Sequence, residues 1–416
     1  MSSDIYILGG AQTDFARNWT REERSLFDLF AEAVRAGLST TKLDAADVEV
    51  GHVGNFVAEL FAGQGILGGF FGHIDEGFVG MPSARHEGAC ASGSLAVLAA
   101  MADLESQRYQ LACVVGVELM RNVSVPEASA NLGPAAWAGR EAPDAKYIWP
   151  ALFSQLADEY DRRYGLKYEH LAEIARINFG NAKQNPNAQT RKWKFTDNSF
   201  REDDEVNPVV EGRMRRHDCS QVTDGAAVVF LATAERASAY ARERGLRLDQ
   251  LPRILGWGHT TAPLLLQTKL DHSRDQPYVF PWVRKAITDA YRRAAIAGPE
   301  QLDAIETHDC FTISEYMAIE HFGVTAPGEA WRAIESGQIA RDGDLPVNPS
   351  GGLLGLGHPV GATGVRMVLD AALQTAGRAG EMQVEGARRV GTYNVGGSGT
   401  ANVSFIVGFP GDGSAG

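Results

Sequence analysis

Cys90 stands in the run Glu87-Gly-Ala-Cys-Ala-Ser-Gly-Ser-Leu-Ala-Val97, a lone thiol followed by small residues and a helical pattern. A helix starting there would turn its backbone N–H groups and positive dipole end toward the sulfur and lower the thiol pKa, which makes a nucleophile. Two distant segments offer partners. His308-Asp-Cys-Phe311 carries a histidine and a second thiol, and Gly357-His-Pro-Val-Gly-Ala-Thr-Gly364 carries a histidine in a glycine-rich turn. Together they supply a base, a second thiol and glycine-rich turns.

The elements that must position these residues repeat in order along the chain. The first half offers an apolar strand at 5–8 and a helix opened by Ser25, with Leu26, Leu29, Phe30 and Val34 at helical spacing and Gly37 as its end. Leu43-Asp-Ala-Ala-Asp-Val-Glu-Val50 leads into a second strand; the Cys90 helix and a buried strand at 111–117 follow. The second half offers a strand at 254–257, a helix at 282–296 and Leu302-Asp-Ala-Ile-Glu-Thr307 running into His308. A helix at 314–322, the His358 turn, a helix at 362–375 and strands at 389–395 and 401–407 complete it. Cys90 and His358 thus hold comparable places, each just before a helix of small and apolar residues. Alternating strands and helices predict an α/β protein with mixed sheets covered on both faces. Between the halves, residues 121–212 are broken by prolines, with helices expected at 154–164 and 168–184, and read as an ordered subdomain over the site.

Composition narrows the function. A chain of 416 residues, 44% hydrophobic, is ample for two or three domains. Lys+Arg 39 against Asp+Glu 52 gives a net charge of −13, which argues against a general nucleic-acid surface. No apolar run reaches the 18 or so residues of a membrane span. Cys90, Cys113, Cys219 and Cys310 are too scattered for a disulfide framework or a zinc site with paired short spacings. The N-terminus lacks a leader pattern and the C-terminal Gly-Ser-Ala-Gly is no peroxisomal address, so a cytoplasmic protein is expected.

These motifs resemble those of the thiolase superfamily, and His-Asp-Cys-Phe is similar to the signature of its sterol-carrier-protein-2 type. The resemblance spans essentially the whole chain. It implies two related α/β halves in five-layered packing, the first being residues 1–120 plus 213–250 and the second 251–416, with 121–212 as the inserted loop domain. It also implies an acetyl-CoA C-acetyltransferase working through acyl-Cys90, with His358 as the base. His308 and His358 would flank the acceptor oxygen, and the N–H groups of Cys90 and Gly396 would hold the acyl-enzyme oxygen.

Ordinary thiolases place a second catalytic cysteine where this chain has Asn394, in Tyr393-Asn-Val-Gly-Gly-Ser-Gly-Thr400. The sterol-carrier-protein-2 type assigns that role to Cys310. Asn394 either adds a hydrogen bond to the site or satisfies its own loop, and Asp309 reads as a helix N-cap or a histidine partner. Coenzyme A is the implied co-substrate, with no permanently bound cofactor and no metal. Its phosphates call for cations, offered by Arg191-Lys-Trp-Lys194 and by Arg213, Arg215 and Arg216; a solvated charged loop explains either run equally well. Ser220 matches a pantetheine-contacting position. The implied assembly is a homodimer or homotetramer, with or without a small accessory subunit. Rival readings are acyl transfer to a non-CoA acceptor with such a subunit, a thiolase-like retro-aldolase, which works without the nucleophilic cysteine, and a non-catalytic scaffold.

Overall fold

The computed structural model describes residues 4–196 and 198–410; the terminal Gly-Ser-Ala-Gly and Met1-Ser-Ser lie outside them. Nine strands form one mixed sheet: β1 (Ile5–Gln12), β2 (Val50–Gly54), β3 (Ser83–His86), β4 (Leu111–Glu118), β7 (Gly225–Thr233), β8 (Arg253–Thr261), β9 (Ala304–Thr307), β10 (Arg389–Gly396) and β11 (Ala401–Gly408). A separate ribbon pairs β5 (Val209–Glu211) with β6 (Met214–Arg215). The order across the large sheet is β3-β2-β4-β7-β1-β8-β11-β10-β9.

That order contains the repeat. β2 lies parallel between β3 and β4, while β9 lies parallel to β10 and bridges Val347 in parallel on its other side. The two Leu-Asp-Ala echoes therefore lead into strands with the same neighbours in each half. The halves join where β1 meets β8, antiparallel.

Alternating side chains of the strands face opposite layers, as a period of two requires. In β4, Ala112 and Val114 pack inward with Val97, Met101, Val365 and Leu369, while Leu111, Cys113 and Val115 pack outward with Leu29, Phe30 and Val34. β10 and β11 likewise send Val390, Val403 and Phe405 onto the same inner helices. Helices Ser92–Glu105 and Thr363–Thr375 thus form a central layer between two half-sheets. Leu26–Thr41 covers one outer face, and Pro281–Arg293 with Thr312–Phe322 the other, giving five layers. The inserted helices Ile148–Tyr164 and Tyr168–Asn181 bury Leu152, Leu156, Leu171 and Ile174 in the core of the second half.

The first helix starts as expected, with a capping box between Ser25 and Asp28, but runs through Gly37 to Thr41. Gly37 is there for packing: a Cβ would lie 2.5 Å from a methyl group of Val228. A close approach also shapes the centre, where a Cβ on Gly93 would meet the Gly361 carbonyl at 2.6 Å. The missing side chains let the helix after Cys90 and the turn after His358 touch backbone to backbone. No helix among the described residues is long and apolar enough to cross a membrane.

Candidate active site

Cys90 sits in a short 3-10 turn, Ala89–Ala91, with the helix proper starting at Ser92. Ala89 before it has φ +51, a left-handed conformation that costs an alanine about 1 kcal/mol and holds the thiol on a sharp bend. Gly396 allows β10 to lie against this bend, since a Cβ there would fall 2.0 Å from the Gly88 carbonyl. The N–H groups that act on the Cys90 sulfur are its own and that of Gly397, the residue after Gly396.

The expected low thiol pKa is corrected by the surroundings. Cys90 keeps a little exposed surface, yet its sulfur is so enclosed that burial pushes the thiol up to about 12, against the weaker help of the Gly397 and Cys90 N–H groups. The Cys90 side chain therefore rests as a neutral thiol. One consequence is measurable. Alkylation of the free enzyme at Cys90 by iodoacetamide should accelerate about tenfold per pH unit from 7 to 10, because the thiolate fraction rises that way below the pKa. A plateau near neutrality would show a resting thiolate instead.

His358 is a candidate base close to hand. A ring nitrogen of His358, one of His308 and the Cys90 sulfur all lie within 4.8 Å of one another, and the two rings stand perpendicular with centroids 5.1 Å apart. Among the described residues this is also the one group of such side chains close enough to hold a metal ion. The Thr363 hydroxyl is 2.8 Å from His358 Nδ1 and donates to the Pro359 carbonyl at 3.0 Å. Its one proton being used there, the hydroxyl accepts from Nδ1–H, which leaves Nε2 with a free lone pair. Nε2 is buried without a hydrogen-bond partner, and burial, reinforced by Arg366, depresses the ring to about pKa 3. His308 is likewise held well below the usual histidine range by burial, then by His358 and Arg366.

Cys310 is buried 3.8 Å from the Ser314 hydroxyl, and burial first, then the proximity of Cys90, pushes its thiol well above the ordinary range. The segment after Asp218 ties the candidate residues together: Ser220 N–H donates to the Cys310 carbonyl at 2.9 Å, and Val222 bridges His358. Ser220 therefore lies at the site.

Other anchors come from residues whose partners are remote in sequence. Asp309 does not cap the following helix, whose N-cap is Phe311; its carboxylate accepts from the N–H groups of Leu353 and Leu354 and from Asn178. It clamps the His308 segment to the loop leading into His358. Asp309→Ala would leave these donors buried and unpaired, and a loss of about 3 kcal/mol or more is expected in denaturant unfolding, with both histidine segments displaced. Glu118, at the end of β4, accepts from the N–H groups of Phe56, Val57 and Gly361, fixing the His358 turn to the first half. Lys269 is fully buried and donates to the Ser398 carbonyl and hydroxyl and to the Thr400 hydroxyl, bracing the turn that carries Gly397. Neither Glu118 nor Lys269 has a motif that announces it.

The cation run divides. Arg213 pairs with Asp158 and Asp161, Arg215 with Asp204, and Arg191 with Asp14, so the insertion's own acids and one from the first half neutralise them. Arg216 is exposed and makes no ion pair among the described residues.

A five-layered α/β fold brings the Cys90 thiol, two buried imidazoles and a second thiol together at its centre. The chain belongs to the thiolase family: residues 5–235 match the model described as Thiolase, N-terminal domain, and residues 266–409 match Thiolase C-terminal domain-like. An acetyl-CoA acetyltransferase of Methanothermobacter thermautotrophicus is 33% identical over 397 residues, covering 95% of this chain and 97% of the relative. Sterol carrier protein 2 of Oryctolagus cuniculus is 25% identical over 413 residues, covering 98% of this chain and 72% of that protein. The solved structure of an Ltp2-ChsH2(DUF35) aldolase superimposes with a TM-score of 0.75 at 20% identity, covering 98% of each chain. The protein is an acyltransferase enzyme.

Proposed function

We propose that the protein is an acetyl-CoA C-acetyltransferase, forming or cleaving the carbon–carbon bond of a 3-ketoacyl-CoA through acetyl-Cys90. The observation that carries this reading is the cluster of the Cys90 sulfur and two buried ring nitrogens within 4.8 Å, with a second thiol alongside. As the Cys90 sulfur attacks the thioester carbonyl, its proton passes to His358 Nε2, and the N–H groups of Cys90 and Gly396 or Gly397 hold the oxyanion. The C–S bond to coenzyme A breaks, and the leaving thiolate takes the Cys310 proton.

Cys310 is then a thiolate in a site that disfavours charge, and so a strong base. It removes a proton from the methyl carbon of a second acetyl-CoA, whose enolate oxygen is held by His308 and by the proton on His358. The carbanion attacks acetyl-Cys90. The Cys90 thiolate departs and recovers its proton from His358, while Cys310 already carries the proton from carbon. Every proton is accounted for, and run backward the same steps are thiolysis.

Coenzyme A is substrate in this scheme and no resident cofactor is required. Arg216, at the edge of the insertion, is the cation of its run left for the nucleotide phosphates, and Ser220 lies where the pantetheine arm would reach Cys310. In this reading the chain divides into 1–120 plus 213–250, 121–212 and 251–416, with the insertion lying over the site. A homodimer or homotetramer is the assembly we infer from the family.

A second reading has the acyl group delivered to a non-CoA acceptor with a small accessory subunit, favoured by the DUF35 component that accompanies Ltp2 in the aldolase of similar fold. The retro-aldolase alternative would leave Cys90 without a role. Incubation of the purified chain with acetyl-CoA alone, and separately with acetoacetyl-CoA plus coenzyme A, decides between them. Formation of acetoacetyl-CoA in the first and acetyl-CoA in the second is expected; activity only after a further protein and acceptor are supplied would favour the second reading.

A further inference from the structure

Asn394 occupies β10 where its side chain meets three groups at once. Its Oδ1 accepts from the Ser94 hydroxyl at 2.8 Å, and its Nδ2 lies 3.1 Å from the Cys90 carbonyl oxygen and 3.0 Å from His308 Nδ1. The Cys90 carbonyl can only accept, so the amide has a single sensible orientation, with both N–H bonds of Nδ2 as donors. One goes to Cys90 and the other to His308. The Val395 N–H points at the same His308 Nδ1 from 3.5 Å. With donors aimed at Nδ1, that nitrogen must carry the lone pair, and a neutral ring then has its proton on Nε2. His308 Nε2 is buried without a hydrogen-bond partner, and a nitrogen of this ring lies in the cluster with Cys90 and His358.

The two histidines are thereby fixed in opposite tautomers. Thr363 leaves His358 Nε2 as an acceptor, and Asn394 makes His308 Nε2 a donor. We propose that Asn394 is a positioning residue that sets the tautomer of His308, so that its Nε2–H serves as a permanent oxyanion donor in the carbon–carbon step. This rests on the acyltransferase reading above. It gives a chemical reason for an amide at the position where ordinary thiolases carry a catalytic thiol: a thiolate there would accept from His308, reversing the polarity of the ring. It also distinguishes the cluster from a metal site, since a protonated Nε2 offers no lone pair to a cation.

The test begins with the unmodified enzyme. Nitrogen-15 NMR of histidine-labelled protein, with the His308 signals assigned by their loss in His308→Gln, should show the Nε2–H tautomer across neutral pH; an Nδ1–H ring would overturn the proposal without any change to Asn394. Asn394→Asp then replaces the donor by a carboxylate, which accepts from Nδ1 and strips Nε2 of its proton once the ring is neutral. Carbon–carbon bond formation should fall about a hundredfold above the new His308 pKa and recover below it, because the doubly protonated ring again has an Nε2–H. The wild-type rate of that step should lack this descent. Acetylation of Cys90, followed separately, should change no more than about tenfold.

A variant that loses both steps equally at every pH shows Asn394 to be merely structural and overturns the proposal. An enzyme with the Nε2–H tautomer but no acetyl-Cys90 in the wild type refutes the acetyl-Cys90 reading instead, so the two failures are distinguishable.

Discussion

Cys90→Ala is expected to abolish turnover, by on the order of 10^5-fold, and to remove covalent labelling completely. In the proposed mechanism the whole reaction passes through one sulfur, and Cys310 is committed to the substrate carbon it deprotonates. Cys90→Ser should retain a trace at most. The site does not lower the pKa of its nucleophile, and a hydroxyl starts far above even the raised thiol, so His358 has little chance of ionising it. Steady-state assays in both directions, with unfolding curves to confirm that the alanine variant is intact, check this. Wild-type rates in Cys90→Ala would end the covalent account.

The second large effect separates the two halves of the reaction. Cys310→Ala should still accept an acetyl group, within about tenfold of the normal rate, because the proton on His358 can reach the leaving coenzyme A thiolate in place of the Cys310 proton. Condensation should then fall about a thousandfold or more, since no other group is placed to take a proton from the acceptor carbon. Rapid-quench acylation and product formation, measured on the same preparation, give the two numbers. Equal losses in both would mean that Cys310 supports the shape of the site rather than its chemistry.

What can be read in the sequence follows from where each residue finds its partners. Cys90, His308 and His358, which the structure brings together, lie in short motifs that a family resemblance can carry, as does Cys310. Ser25 is legible because its capping partner Asp28 is three residues away. Gly37 is not: the stop expected there is a contact point, and the strand it touches lies in the return to the core after the insertion. Asp309 looks like a cap because a helix follows it, yet its acceptors are filled from 353, 354 and 178. The pairing of Arg213 and Arg215, candidate phosphate ligands, with Asp158, Asp161 and Asp204 is not legible either, because those acids lie in the insertion, apart from the run itself.

The thiol pKa is the clearest case. A helix dipole does favour a thiolate at its N-terminus, but here the helix starts two residues after Cys90 and the sulfur is enclosed by segments from both halves, so desolvation outweighs it. The role of Asn394 is hidden in the sequence for the same reason: its meaning depends on which atom of His308 faces it, and that is a property of the assembled site.

The central claim is a covalent acetyl group on one particular sulfur, and a single-turnover trapping experiment addresses it directly. The enzyme is mixed with radiolabelled acetyl-CoA below its own concentration, quenched in acid, digested and mapped by mass spectrometry. Label is expected on the peptide containing Cys90, formed with release of free coenzyme A and discharged as acetyl-CoA when coenzyme A is added back before the quench. Absence of any adduct on an enzyme that turns over, or label confined to Cys310, would contradict the claim.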